Sequence, residues 1–133
     1  MEESFEEFYA VAFTLLTCNG YDMLVALDAF DTYARKKFER ENGWMLDTGF
    51  PHQKHHIEEH TAVLSSVQQL RRQITSGQVG VDLVHEFASC LFAWFPEHAD
   101  NLDAALIAWI NSYPLCGESM ALSRPLENGH GIQ

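Results

Sequence analysis

At 133 residues the chain has the length of one domain, large enough to bury about two-thirds of its unfolded surface without disulfides or a second domain. A formal net charge of -11 repels a phosphate backbone and excludes nucleic acid as an expected partner, and a hydrophobic fraction of 47 % with only four prolines and eight glycines excludes the disordered and fibrous classes. No run approaches about 18 apolar residues and no basic stretch precedes an apolar one at the N-terminus, so neither a membrane span nor a signal peptide is expected. Cys18, Cys90 and Cys116 are odd in number and contain no C-x-x-C pair, which argues against a disulfide framework or a thiolate zinc site and for a reducing, cytoplasmic compartment.

Four segments carry helical periodicity and none alternates as a strand. Ser4 and Glu7 have the S-x-x-E spacing of a capping box, and Phe5, Phe8, Ala12, Leu15 and Leu16 then recur on one face until about Thr17. Glu2, Glu3, Glu6 and Glu7 suit the positive end of that helix. After the turn Cys18-Asn19-Gly20-Tyr21, Asp22 can cap a second helix whose stripe is Leu27, Phe30, Ala34, Lys37, Glu41 and Trp44, so two charged residues fall at inward positions. Asp47 to Pro51 breaks the pattern. A third stripe runs through His56, His60, Val63, Leu64, Val67, Leu70 and Ile74 and closes before Ser76-Gly77. The fourth is Val84, Phe87, Leu91, Trp94, His98, Leu102, Ala105 and Trp109, with Pro96 inside it as a source of a kink or split. Short connections favour an all-α, antiparallel up-down-up-down four-helix bundle over residues 1–112, with 113–133 an irregular tail.

A bundle needs only apolar residues on its inner faces, yet three of these stripes carry ionisable groups at the same end. His56 and His60, spaced i, i+4, put two imidazoles on one face in register with Val63 and Val67. Buried imidazoles need partners, and Glu41 and His98 lie on facing stripes. Nitrogen and carboxylate donors without thiolates suit iron, zinc or manganese. Asp103 lies five residues after His98, about 140° round an ideal helix, so the two share a centre only if the helix is locally distorted or a cation lies between their faces. His52, His55, His85 and His130 fall off the stripes and are expected to be exposed, and Trp94 and Trp109 are spaced for core packing.

Tyr33, Lys37, Phe38, Glu41, Asn42 and Met45, then Pro51, His56 and His60, then Trp94, Phe95, His98 and Asp103 form three motifs in one order. The chain resembles the hemerythrin family, bacteriohemerythrins included, whose motifs read Y-x-x-x-H-F-x-x-E-E-x-x-M, P-x-x-x-x-H-x-x-x-H and W-L-x-x-H-x-x-x-x-D. The resemblance covers roughly residues 27 to 110. It implies two irons, one held by His56, His60 and His98, with Glu41 and Asp103 bridging to a second that takes two further histidines. Those two are missing: one position is Lys37, and the other, from the first helix, best matches Phe5, no histidine occurring before His52. The family's oxygen-binding iron is the one that loses its ligands.

Two arrangements answer this substitution. In the first, the Lys37 ammonium stands beside the ligands in place of the second cation, and one metal is held by three histidines and the carboxylates. In the second, Lys37 reaches solvent and Glu2, Glu6 or Glu7 rebuild a second site. The expected function is a metal-binding protein, with iron as cofactor, that senses or binds the metal or a small ligand such as oxygen or nitric oxide. The alternatives are a metal-free interaction bundle and a di-iron oxygen-binding protein with substitute ligands. An oxidase or peroxidase would need a substrate pocket that no motif marks, so no enzymatic activity is expected.

Overall fold

The computed structural model describes residues 5–117, and every regular element among them is helical. Helix α1 spans Phe5–Thr17, α2 Met23–Thr48, α3 Gln53–Thr75 and α4 Val81–His98. A single π-helical turn, Ala99–Asp103, then joins α4 to α5, Ala104–Gly117. With α4, the π-turn and α5 running on as one fourth helix, this is the all-α antiparallel four-helix bundle that the periodicity predicts. Helix α1 packs on α2 and α4, and α2 also packs on α3 and α5. Ser4 of the proposed capping box and most of the tail lie outside the described residues, while the last helix continues five residues past Ser112.

The core follows the stripes with shifts on three helices; within α4, Ala88 and Phe95 are buried where Phe87 and Trp94 were expected and are only half-buried. Phe8, Ala12, Leu15, Leu27, Phe30, Ala34, Val67 and Val84 are buried, each large apolar side chain contributing about 1.5–3 kcal/mol relative to exposure. On α2, Met45 is buried and Trp44 only half-buried, because four residues after Glu41 lie nearer its face than three. On α1, Phe8 rather than Phe5 points inward: Phe8 stacks face to face on Phe95 with centroids 4.0 Å apart, whereas Phe5 is 40 % exposed and meets the same ring edge-on. On the fourth helix the inward residues after His98 are Ala99, Asp103 and Leu106, in place of Leu102, Ala105 and Trp109.

That last shift has a backbone cause. The Ala104 amide bonds to the Ala99 carbonyl, five residues back, so one extra residue is taken into the turn and everything after it is rotated. The distortion expected at Pro96 thus lies just beyond it, since α4 stays α-helical through Pro96 to His98.

The turns hold this end of the bundle together. Gly49 adopts a left-handed conformation at φ 66°, its amide and that of Phe50 both bond to the Met45 carbonyl, and the chain folds Phe50 back into a small cluster with Met45 and Leu106. Trp109 donates to Thr48 Oγ1 at 2.8 Å, pinning α5 to the end of α2. At the opposite end Asp22 occupies the cap position of α2 without a side-chain cap bond. Asn19 Oδ1 instead accepts from the Asp22 amide at 2.9 Å. His85 is half-buried rather than exposed, with Nε2 2.7 Å from the Cys18 carbonyl.

Candidate metal centre

Helices α2, α3 and α4 and the π-turn each bring a donor to one point. Glu41 comes from α2, His56 and His60 from successive turns of α3, His98 from the end of α4 and Asp103 from the π-turn. All five side chains are buried, and one ligand atom from each lies within 4.8 Å of the others. The π-turn is what admits Asp103. By adding a residue between the two, it brings an i, i+5 pair onto one face, leaving Asp103 Oδ1 3.1 Å from His98 Nε2 and 2.9 Å from His56 Nε2.

The three imidazoles all present Nε2 inward. His98 Nε2 lies 3.2 Å from that of His56 and 3.3 Å from that of His60. The outer nitrogens of two of them face oxygen atoms: His60 Nδ1 lies 2.8 Å from the amide oxygen Asn42 Oδ1, and His98 Nδ1 donates to the Glu59 carboxylate at 2.9 Å. Their protons therefore sit on Nδ1, and in the neutral rings Nε2 carries a bare lone pair. Bare nitrogens at this spacing would repel one another; a proton shared with Asp103, or a cation between the rings, relieves that repulsion. Ligands about 2.0–2.2 Å from a metal at 90° to tetrahedral angles are separated by about 2.9–3.5 Å, the spacing found here.

The carboxylates complete the same picture. Glu41 Oε1 is 3.2 Å from His60 Nε2 and 4.0 Å from His56 Nε2, yet it makes no aligned hydrogen bond among the described residues, and neither does Asp103 Oδ2. Burial alone would raise both carboxyls. Hydrogen bonds from His56 and His98 and the charges of His98 and Lys37 hold Asp103 far below its ordinary value, and His60 and Lys37 together lower Glu41 against the opposing charge of Asp103. Both are anionic at neutral pH. Burial pushes the His60 pKa down despite Glu41, while Asp103 and Glu59 outweigh burial to raise that of His98.

Lys37 is 1 % exposed and does not reach solvent. Its Nζ bonds to Glu41 Oε2 at 2.8 Å and lies 5.9 Å above the Phe95 ring. Glu41 thus turns one oxygen to the imidazoles and the other to an ammonium. Among the carboxylates considered for a rebuilt second site, Glu6 and Glu7 are exposed and Glu2 lies outside the described residues.

Aromatic rings wall the site. Phe38 stacks on His60 with centroids 4.0 Å apart and planes 4° from parallel, and Trp94 stacks on His98 at 4.3 Å. Trp94 thus packs on the core and against a site imidazole together. The sequence reading missed Glu59, because it lies off the inward stripe and half-buried. The available signal was the need of every inward-facing histidine for an outer acceptor, with Glu59 one position before His60. His52 and His55 are exposed and outside the cluster, though His55 Nε2 lies 3.3 Å from Glu59 Oε2.

The four-helix bundle closes three histidines and two carboxylates around one point, a donor set that could hold a metal ion. The chain is a homologue of a bacteriohemerythrin, that of Ralstonia nicotianae, 33 % identical over 89 residues, and its cluster fits a hemerythrin-like family member. The match covers 67 % of this chain and 64 % of the relative, so the chain spans just under two thirds of the length of that protein. No family profile matches the chain, and no solved structure matches it.

Proposed function

We propose that the chain is a non-enzymatic, hemerythrin-like protein that holds one iron ion at Glu41, His56, His60, His98 and Asp103, with the Lys37 ammonium in the place of a second ion. The observation that carries this reading is the convergence of three Nε2 atoms on one point while the far oxygen of Glu41 is bonded to Lys37 Nζ. Bound there, a six-coordinate iron would keep one position for a small ligand such as oxygen or nitric oxide.

The chain's own groups set the rest. Asn42 and Glu59 hold the outer nitrogens of His60 and His98 and orient their rings; His60, its pKa lowered, can offer a lone pair directly, whereas His98, its pKa raised, would release a proton from Nε2 on binding a metal. Lys37 balances the second lobe of Glu41, which would otherwise carry buried, uncompensated charge. Phe38, Trp94 and Phe95 keep water from the cluster. With the second position filled by a side chain, the function is binding or sensing at one centre.

Elemental analysis of protein expressed with iron supplied tests this directly. The expected result is one iron per chain, and one still in Lys37→Asn, since removing the ammonium restores no ligand set. Two ions per parent chain, or none together with a melting temperature indifferent to a chelator, would overturn it.

A further inference from the structure

Charge is divided unevenly between the two sides of the bundle. Seven of the chain's eight lysines and arginines lie on α2 and α3, where seven carboxylates balance them, so the whole formal charge of -11 is carried by the rest of the chain. Helices α1 and α4, which pack on each other, hold Glu6, Glu7, Asp82, Glu86 and Glu97 and no lysine or arginine. All five carboxylates are on exposed residues, and their side of the molecule attracts cations and repels anions.

Along the seam between these two helices runs a stripe of aromatic rings. Phe5, Tyr9 and Phe13 are spaced i, i+4 and i+8, one above the other on one face of α1 over about 12 Å. Tyr9 stacks on Phe92 of α4 with centroids 5.6 Å apart, which places the stripe at the junction of the two helices. Phe5 is 40 % and Phe13 57 % exposed, with Tyr9 and Phe92 half-buried between them, so the rings form a continuous strip rather than scattered apolar residues. Phe5 meets Phe95 near the end of α4, and Cys18, just past α1, meets His85 near its start. Glu6 therefore flanks the stripe at one end and Asp82 at the other.

We propose that this seam docks a basic amphipathic helix of a partner protein, which lays an apolar row along Phe5, Tyr9 and Phe13 and turns lysines or arginines towards the carboxylates around it. Two packed helices leave a furrow that a third fills with residues at i, i+3, i+4 and i+7. The charge decides against other occupants. A second copy placed face to face by two-fold symmetry sets five carboxylates against five, and an anionic membrane surface is repelled in the same way. Phe5 and Tyr9 both meet Phe95 edge-on at 5.4 Å, and Phe95 lies 6.5 Å from His98, so a docked helix rests one ring away from the buried cluster while using none of its donors.

The probe is a synthetic helix of leucine and lysine with such a row, titrated into the full chain and followed by fluorescence anisotropy, beside a version with glutamate for lysine and a scramble of the same composition. Saturable binding of the lysine helix is expected with or without metal, with no binding of the glutamate version and at least tenfold weaker binding of the scramble. Phe13→Ser should weaken the lysine helix at least tenfold, as should Glu6→Gln combined with Asp82→Asn. Leu46→Ser, at an exposed apolar residue of α2, should leave it unchanged, with circular dichroism checking that each variant folds. Equal binding of the scramble would reduce the effect to charge attraction and overturn the proposal, as would binding indifferent to Phe13→Ser. Self-association of the chain that Phe13→Ser abolishes would give the seam to a second copy, and binding that appears only when residues 118–133 are deleted would give it to the chain's own tail; either result overturns the partner helix.

Discussion

Replacing Lys37 by methionine isolates the ammonium, because the two side chains have similar length and the new one keeps the apolar stem packed near Phe95. The Lys37–Glu41 pair is 2.8 Å long with its side chains 2 % and 4 % exposed, so solvent screening does not weaken it. Removing one member of such a pair leaves a buried carboxylate oxygen without a counter-charge, at a cost of about 3–5 kcal/mol. In metal-free protein that should lower the melting temperature on the order of 10–20 °C. Lys37→Met combined with Glu41→Gln removes both charges and should recover most of the loss, since a neutral amide is far cheaper to bury. With iron present the single variant should lose less, because the ion draws charge from the same carboxylate. Thermal denaturation followed by circular dichroism, with and without iron, reads all of these. A single variant melting within a degree or two of the parent, or a double variant no more stable than the single, would refute the argument that Lys37 stands in for a cation.

Glu59→Gln keeps the side-chain shape but weakens the acceptor at His98 Nδ1 (2.9 Å), so iron affinity measured by chelator competition should fall about 10–100-fold with little change in fold; an unchanged affinity would show that Glu59 does not orient the ring. Deleting the exposed Asn101 should close the π-turn into an α-turn and leave His98 and the aspartate four residues apart on one face, so iron content is retained and the melting temperature rises; loss of iron would mean that the wider turn itself is needed. The lowered pKa values of Asp103 and Glu41 mean that their stabilisation of metal-free protein is complete above the unfolded carboxylate value near pH 4 and is lost as pH falls through the depressed folded values. His98, raised, works in the opposite sense, stabilising fully below about pH 6.5 and losing that contribution as pH rises through its folded value. Asp103→Asn should therefore flatten the acid limb of a melting-temperature profile, and an unaltered limb would assign acid sensitivity to other groups.

How far the structure was legible beforehand differs from residue to residue. His56 and His60 were readable because they share a 3.6-residue stripe with Val63 and Val67, and Lys37 and Glu41 because they interrupt an otherwise apolar one. Asp103 was not readable from spacing alone: on an ideal helix it faces away from His98, and the π-turn that turns it inward has no residue signature in the sequence. The same turn moved Leu106 into the core in place of Ala105 and Trp109, so one backbone event accounts for both departures. Phe8 was on the stripe and is buried while its neighbour Phe5 is exposed at the start of α1, and Met45 takes the inward place given to Trp44 because it lies nearer the Glu41 face. Glu59 was hidden because hydrogen-bond pairing across helices leaves no periodic trace.

The ion pair inside the cluster has a consequence for how occupancy responds to supply. A dinuclear site fills in two steps whose affinities are linked through the shared carboxylates, so intermediate loading blurs its response. Where one of the two positive charges is a side chain, that position is filled as soon as the chain folds and cannot be stripped by scarcity or exchanged for a competing ion. On the one-iron reading proposed above, loading would be a single hyperbolic event with a Hill coefficient of one, and each molecule would be either charged or empty.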